Sequence, residues 1–396
     1  MAARIPPGLL AALLLVDFTD EWCSTLLPVA TPAIRADLGL SYAEAGLLLG
    51  LIFGGGIVGG VATAAADFVS RRALAGAGAV VYGLCMLAFG FSDEFVVLAI
   101  SAFIWGAASD AFVHGAELAL ADLAGDDLEP TLATVNFLGA FGTVLAPIVL
   151  SVSFVTGASW RVPFVAGGVL AIGYGVVLAS LSLPRPQGDG DEHTPLRVVR
   201  AVLRDPLVRR LAFVELISES LDLAFLGFMA VYLEQARGFS SAAASALLAV
   251  VLGGTVVGFA FVAAARLRPG VGTLRPAALV EAVAILGIIV LPGWFGVALG
   301  GLVFGISGAF WWVAFQAAVL RARPTQTGTT WAVVSYLSLP ALLAAPAAGY
   351  LADRYGVGAA MALFPTLAAV AVLAAPGPGR GRTSRLRRWP TRFSLP

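Results

Sequence analysis

Long apolar runs separated by short polar breaks make up most of the chain. A helix that crosses a bilayer needs about 20 consecutive, mostly apolar residues. Twelve segments meet this requirement, near residues 8–30, 43–66, 73–92, 95–121, 131–155, 160–183, 207–233, 242–265, 275–293, 294–320, 328–350 and 357–376. Several connections between them are short, which requires antiparallel neighbours. The pattern predicts an all-α membrane protein with twelve transmembrane helices.

Composition agrees with that prediction and excludes several other classes of protein. Of the 396 residues, 59% are hydrophobic and 12% are charged, whereas about a quarter of the residues in a soluble protein are charged. This balance excludes an ordinary cytosolic enzyme, a disordered chain and a nucleic-acid-binding protein. Cys23 and Cys85 lie inside apolar runs, so neither indicates a disulfide or metal framework. We expect a monomer in the lipid bilayer, with no cofactor and no nucleic-acid partner.

The arginines indicate the orientation of the helices. All 24 basic residues are Arg. If the N-terminus is cytoplasmic, all but four of them fall in cytoplasmic segments, and the four on the other side are Arg35, Arg161, Arg237 and Arg354. Such an excess on one side is the positive-inside signal of membrane proteins. We therefore expect a multi-pass protein of a prokaryotic cell (plasma) membrane, with both termini in the cytoplasm.

One long polar stretch divides the chain into two apolar halves. Residues 184–206 are expected to form a cytoplasmic linker between six-helix bundles at 1–183 and 207–376, with a basic cytoplasmic tail at 377–396. The halves align at an offset of 198 to 199 residues, which pairs Asp17 and Glu21 with Glu215 and Glu219, Gly39 with Gly238, and Pro147 with Pro346. A parallel repeat of two pseudo-symmetric bundles is the layout of one large transporter architecture, whose substrate site lies between the halves at mid-membrane.

Ionisable side chains inside three spans are the strongest functional candidates. Helical spacing puts each set on one stripe of its helix. The sets are Asp17, Asp20 and Glu21 in the first span, Asp110, His114 and Glu117 in the fourth, and Glu215, Glu219 and Asp222 in the seventh. Each charged acid costs about 3 kcal/mol at mid-membrane, so these carboxyl groups must face water, hold protons or find partners. The candidates for proton coupling are Asp17, Glu21, Glu215 and Glu219.

Other side chains are candidates for substrate contact. They are Asp20, Asp110, His114, Glu117, Asp222, Asn136, Trp311, Trp312 and Gln316. Asp110, His114 and Glu117 are also candidate ligands of a divalent metal, since imidazole and carboxylates suit such ions. The alternative for His114 is a neutral hydrogen-bonded residue or a proton relay. The other candidates have structural alternatives as well. The acids would accept hydrogen bonds from serine hydroxyls, and the tryptophans would pack against neighbouring helices or lipid. Glu281, in the ninth span, is expected to lie at the periphery.

Two loop fragments carry a recognisable signature. Residues 63–74 resemble the Gly-x-x-x-Asp-Arg-x-Gly-Arg-Arg sequence that follows the second span in the major facilitator superfamily, with Asp67, Arg71 and Arg72 at matching positions. Residues 349–356, which include Asp353 and Arg354, are similar to the same signature but fall on the outer side by the span count. In that family the signature loop helps to hold the two halves together in one state of the transport cycle. The resemblance gives these five charged residues a conformational role.

The resemblance extends over essentially the whole chain and has functional implications. Gly139 and Gly142 loosely resemble the antiporter motif of family exporters, and residues 27–41 resemble drug-resistance exporters. In this superfamily the first, fourth and seventh helices line the central cavity, so their acids are expected to meet the substrate. We expect a secondary transporter of the efflux type that exports a cationic or cation-bearing small molecule against protons by alternating access. The alternatives are a proton-coupled uptake symporter, a divalent-metal carrier and, more distantly, an intramembrane enzyme.

Overall fold

Every regular element in the described part of the chain is helical. The computed structural model describes residues 6–64, 70–124, 128–183, 196–265, 267, 269–323 and 327–376. The first half consists of α1 (Pro7–Leu38), α2 (Tyr42–Ala64), α3 (Arg71–Phe91), α4 (Phe95–Ala124), α5 (Leu128–Val155) and α6 (Arg161–Ser180). These six helices correspond to the first six predicted spans.

The second half contains interrupted as well as continuous helices. A short amphipathic helix, α7 (Leu196–Arg204), precedes α8 (Pro206–Leu221), a π-helical turn (Asp222–Leu226) and α9 (Gly227–Gln235), which together form the seventh span. Then follow α10 (Ser241–Ala264), α11 (Val271–Val290) and α12 (Gly293–Ala322). The eleventh span is α13 (Thr327–Leu337), a 3₁₀ turn (Leu339–Leu343) and α14 (Ala344–Tyr355), and the twelfth is α15 (Val357–Met361) with α16 (Phe364–Ala374).

Length and composition identify these helices as membrane-spanning, which confirms the predicted fold class. Eleven segments of the described residues are long and apolar enough to cross a membrane. The remaining long helix, α1, has 32 residues but carries Asp17, Asp20 and Glu21 near its middle. With α1 the chain has the twelve crossings that the sequence predicts. The predicted linker 184–206 contains α7, which packs on α8 and α13, whereas residues 184–195 and the predicted tail 377–396 lie outside the described residues.

The first helix is longer than the sequence predicts. The predicted span ends near residue 30, but α1 continues through Pro28 and Pro32 to Leu38. Proline is tolerated inside membrane helices because neighbouring groups satisfy the backbone that it frees. The helix ends where Gly39 adopts φ +65° and its N–H donates to the Arg35 carbonyl, a left-handed C-cap that glycine adopts without strain.

The two bundles repeat the same packing arrangement. In the first bundle α3 packs on α6, α2 on α4, and α1 on α5. In the second bundle the corresponding pairs are α11 with α16, α10 with α12, and α8 with α13. The turns repeat as well, since Gly39 matches Gly238 and Gly157 matches Gly356, all four with positive φ. The backbone symmetry therefore agrees with the sequence repeat.

The π-helical turn explains why the repeat offset changes along the chain. The offset is 198 for Glu21 and Glu219 but 199 for Gly39 and Gly238. Between these positions the second half contains the π turn Asp222–Leu226, whereas α1 is continuous. A π turn accommodates one additional residue in a helix. The π turn therefore accounts for the one additional residue of the second half. The helices on either side of the turn keep the packing seen in the first half.

The two bundles meet mainly at one end of the molecule. The most extensive contacts between them are those of α5 with α10, α2 with α14, and α1 with α9. Small residues allow the close approach of α2 and α14, because a Cβ on Gly46 or Gly349 would collide with the backbone of the facing helix. At the same end Ser151 Oγ donates to the Ala242 carbonyl over 3.1 Å. We call this the closed end.

Candidate functional site

A cavity of about 350 Å³ lies between the two bundles. Six elements contribute its wall: α1, α5, the seventh span, α10, α11 and α12. Its polar and aromatic lining residues are Asp17, Glu21, Asn136, Thr143, Ser218, Glu219, Asp222, Thr255, Phe259, Glu281, Phe304, Trp311 and Trp312. The volume is within the range of small-molecule sites, about 300 to 1,000 Å³.

The wall of the cavity is acidic. It carries five carboxyl groups, those of Asp17, Glu21, Glu219, Asp222 and Glu281, and among the described residues no Arg or His lines it. The acids come from both bundles, so ionised forms would repel one another across the gap between the halves. A cation, a proton or water is therefore required to balance them.

Asp17 and Glu21 sit one helical turn apart on α1 and have different surroundings. The Thr143 hydroxyl of α5 donates to Glu21 Oε2 over 3.0 Å. Asp17 is 9% exposed, and its buried Oδ1 has no hydrogen-bond partner among the described residues. Gly139 of α5 lets the helices approach closely, because a Cβ there would lie 3.3 Å from the Cβ of Asp17. The two acids that α1 contributes to the cavity wall therefore differ, since Glu21 accepts a hydrogen bond and Asp17 has one oxygen that does not.

Glu215, the repeat mate of Asp17, occupies a different environment. It is 6% exposed and does not line the cavity. Its Oε2 is also buried without a hydrogen-bond partner. The repeat therefore places two unpartnered buried carboxyl oxygens in equivalent helices, of which only that of Asp17 belongs to a residue that faces the cavity.

Asp20 is held inside the first bundle and does not line the cavity. The Ser109 hydroxyl of α4 donates to Asp20 Oδ1 over 2.6 Å. The Tyr82 hydroxyl of α3 donates to the Asp20 carbonyl over 3.0 Å and lies 3.1 Å from Ser24 Oγ. These bonds join three helices, so Asp20 fits the structural alternative for an acid in a span.

The candidate group on α4 is not assembled around the cavity. The His114 ring is half exposed, with Nδ1 3.3 Å from Asp110 Oδ1. Neither residue lines the cavity, nor do Glu117 and Gln316. Among the described residues, no group of three or more His, Cys, Asp or Glu side chains is placed to hold a metal ion. The arrangement on α4 therefore gives no support to the predicted divalent-metal site.

Two tryptophans line the cavity together with the acids. Trp311 and Trp312 of α12 both line the cavity. The Trp311 ring stacks on Phe315, with centroids 4.9 Å apart and an interplanar angle of 6°. A stacked indole has few alternative rotamers, and its face attracts cations. Asn136 of α5 lies on the same wall and adds a polar group without charge.

Glu281 corrects the sequence interpretation. It was expected at the periphery, yet it lines the cavity from α11. Gly308 of α12 faces it at ordinary van der Waals distance, since a Cβ there would lie 3.8 Å from Glu281 Oε1. Thr143, Thr255 and Phe259 are further lining residues that sequence reasoning missed. For Glu281 the signal was present, namely an acid in the middle of an apolar span.

A second, apolar chamber of about 300 Å³ adjoins the acidic one. The two chambers share Thr143, Glu219, Asp222, Leu226 and Leu252. The remaining wall of the apolar chamber consists of Ser24, Thr25, Leu27, Pro28, Val29, Leu49, Ile52, Phe53, Leu223, Gly227, Leu248 and Val251. Apart from Ser24 and Thr25, its own lining side chains are apolar. A single elongated molecule could therefore touch both chambers.

The charged residues of the two signature fragments have separate surroundings. Asp67 lies outside the described residues. Arg71 is buried at the start of α3, and Arg72 beside it is exposed. Asp353, at the end of α14, accepts hydrogen bonds from the backbone N–H groups of Tyr42 (2.8 Å) and Ala43 (2.9 Å). It therefore caps the N-terminus of α2 across the bundle boundary, at the closed end.

The contacts described for Arg354 are both with its neighbour, Tyr355. Its guanidinium carbon lies 5.7 Å from the centre of the Tyr355 ring, and Nε donates to the Tyr355 hydroxyl. These contacts stay within α14. Of the two charged residues in the outer fragment, Asp353 is thus the one that bonds the other bundle.

The fold and the cavity between two matched six-helix bundles define a membrane transporter rather than an enzyme. The family model of the Major Facilitator Superfamily matches residues 10–336. The chain belongs to this superfamily. No curated protein matches the chain in a sequence comparison.

Solved structures of several differently named transporters are similar to this chain in fold. A mutant of the nucleoside transporter NupG is similar to this chain with a TM-score of 0.78 and 13% identity, over 92% of this chain and 98% of that one. A bacterial homologue of the human lysosomal transporter Spinster, inward-facing and occupied, gives 0.72 and 17%, over 93% and 95%. The human organic anion transporter MFSD10 gives 0.63 and 18%, over 94% and 100%. At these identities the likeness establishes the fold alone.

Proposed function

We propose that this transporter exports a cationic or cation-bearing small molecule in exchange for protons. The observation that carries the proposal is the cavity wall, which has five carboxyl groups from both bundles and no basic side chain from the described part of the chain. Alternating access would come from rocking of the bundles at 1–183 and 207–376 around that cavity.

Coulomb energy favours a cation in such a cavity. At an effective dielectric constant near 20, two unit charges 4 Å apart interact by about 4 kcal/mol. One uncompensated like-charge pair would weaken the binding of an anion by about three orders of magnitude, whereas a cation gains from the same field. Trp311 and Trp312 supply aromatic faces for an organic cation.

Competition between the substrate and protons for the same carboxyl groups gives the coupling. Asp17, Glu21 and Glu219 face the cavity, and we assign proton binding to them. Glu215 is assigned as a buried relay behind Glu219, one helical turn away on α8. In the substrate-free state protons occupy these groups, and a bound cation displaces them. Asp222, Asn136, Trp311 and Trp312 are assigned to substrate contact.

We propose export as the direction of transport. With both termini in the cytoplasm of a plasma-membrane protein, the closed end faces outward, because α1 and α9 finish there. A protein shut on its outer side would load its substrate from the cytoplasm, as an exporter does. The partial resemblance to drug-resistance exporters agrees with this assignment, and uptake symport is the alternative that experiment must exclude.

Flux into proteoliposomes tests the proposal. With tetraphenylphosphonium as the probe, we expect accumulation when the lumen is acidic, since protons leaving the lumen drive cation entry in exchange. Glu21→Gln and Glu219→Gln should abolish gradient-driven accumulation while the melting temperature stays near that of the wild type. Glu94→Gln, which alters an exposed loop acid, is the matched control and should transport normally.

Two outcomes would contradict the proposal. Accumulation driven instead by acid outside would indicate symport. Accumulation that ignores the pH gradient in the wild type and in both acid variants would show that these carboxyl groups do not couple protons to transport.

A further inference from the structure

The acidic and apolar chambers adjoin each other. Glu219, Asp222 and Leu226 line both of them. The π turn supplies Asp222, Leu223 and Leu226 to the wall in this region. A molecule whose charge lies beside Glu219 and Asp222 therefore has apolar space directly adjoining it.

The acidic end has a group that still lacks a partner. Asp17 is nine-tenths buried, lines the chamber, and has a buried Oδ1 with no hydrogen-bond partner among the described residues. An unmade hydrogen bond of this kind is costly, and more so for a charged group. An ammonium group in the chamber would stand beside this carboxyl group and balance its charge.

The apolar end is built by both bundles near the closed end. Leu49 and Ile52 come from α2, and Leu248 and Val251 from α10. Leu49 also packs against Gly227, where a Cβ would lie 2.6 Å from Leu49 Cδ1. Apolar groups that enter this chamber leave water, and each buried methylene contributes about 0.8 kcal/mol.

We propose that the ligand is an amphipathic monocation, an amine with one unbranched apolar tail, whose head binds in the acidic chamber and whose tail fills the apolar chamber. This inference rests on the proposed cation specificity and adds the tail site and the orientation of the ligand. Polar polyamines and hydrated divalent ions would leave the apolar chamber unused and bind more weakly.

A homologous series of primary alkylamines, from methylamine to octylamine, tests the inference by calorimetry on the purified full-length protein. We expect affinity to rise about four-fold per methylene, the equivalent of about 0.8 kcal/mol, and then to level off when the chamber is full. Ile52→Trp, which fills the chamber, should flatten the series while short amines bind as in the wild type. Ile52→Ala should move the plateau to longer tails.

Controls separate the chamber from general hydrophobic association. Val283→Trp alters a side chain that is 61% exposed on the outer surface of α11 and should leave the series unchanged. The corresponding alkanols, which have the tail without the charge, should bind far more weakly than the amines.

The outcomes distinguish this inference from the proposed function beneath it. Equal chain-length dependence in the wild type, Ile52→Trp and Ile52→Ala would overturn the tail site while the cation specificity stands. Alkanols that bind as tightly as amines would overturn the head site. If no amine binds at any length, the cation specificity itself fails, and the inference with it.

Discussion

At the scale of single residues, neighbouring acids on α1 have different tasks. Asp20 is bonded by Ser109 inside the first bundle, Glu21 is bonded by Thr143 at the cavity wall, and Asp17 keeps an unpartnered oxygen there. The sequence identified all three as candidates, with Asp17 and Glu21 assigned to proton coupling and Asp20 to substrate contact. Only the packing of α4 and α5 against α1 shows which acid is structural, because partners from other helices are invisible in one span.

The structural role of Asp20 predicts a stability effect at Ser109. Ser109→Ala removes the hydroxyl that bonds Asp20 Oδ1, and a hydrogen bond to a charged or strongly polar partner is worth about 2 kcal/mol. We expect a clear fall in the melting temperature with little change in cation binding. Ser180→Ala removes a hydroxyl that bonds the Val177 carbonyl of its own exposed helix end and is the control. Equal effects of the two changes would argue against the structural role.

At the scale of helices, the π turn is the most informative irregularity. Sequence alignment of the halves shows the change of offset from 198 to 199 but does not say where the additional residue lies. The structure locates it at Asp222–Leu226, beside the cavity. Such turns occur frequently at functional sites. Here α8 and α9 keep the packing of their counterpart, α1. The π turn between them contributes Asp222 and Leu226 to the walls of both chambers.

Asp205 connects two helices outside the membrane spans. Its Oδ1 accepts the Leu207 N–H at the start of α8, and its Oδ2 accepts a bond from Arg323 Nε of 3.1 Å. Slight burial opposes ionisation, but the bonds from Arg323 and from the backbone N–H groups outweigh it and lower the pKa of Asp205. The ionised carboxylate therefore stabilises the folded state.

This lowered pKa predicts a pH dependence of stability. Because the folded state prefers the ionised carboxylate, its contribution is complete above the ordinary aspartate pKa of about 4 and is lost as the pH falls through the lowered folded value. Asp205→Ala should cost about 1 kcal/mol at neutral pH, the usual value of an N-cap. Melting temperatures between pH 7 and pH 3 should converge for the wild type and the variant. A constant difference over that range would contradict the prediction.

At the scale of the whole molecule, apolar run lengths predict the architecture well. Twelve apolar runs, an internal repeat and one linker suffice to predict it. In a bilayer each apolar segment must satisfy its own backbone hydrogen bonds, and a helix does so. Two features escape this reasoning. Helix α1 passes through Pro28 and Pro32 and ends at the left-handed Gly39, and Glu281 faces the cavity from α11. The length of an apolar run shows neither which residue caps a helix nor which face the helix turns towards its neighbours.

The closed end gives a prediction about the conformational equilibrium. Asp353 places a carboxylate at the N-terminus of α2, where backbone N–H groups and the helix dipole favour negative charge. Because donor and acceptor belong to different bundles, this bond exists only while the closed end is shut. Asp353→Asn keeps the size of the side chain but removes its charge, and should weaken the closed state by about 1 kcal/mol.

A shift of that size corresponds to about a five-fold larger open population. It can be measured as the rate at which an impermeant thiol reagent, added outside intact cells, labels a cysteine introduced at Thr143 in the cavity wall. Asp37→Asn is the matched control, since Asp37 lies near the same end but bonds Trp160 and Arg161 of its own bundle. We expect about five-fold faster labelling in Asp353→Asn and no change in Asp37→Asn. Equal rates in all three proteins would show that the cap on α2 does not hold the closed end shut.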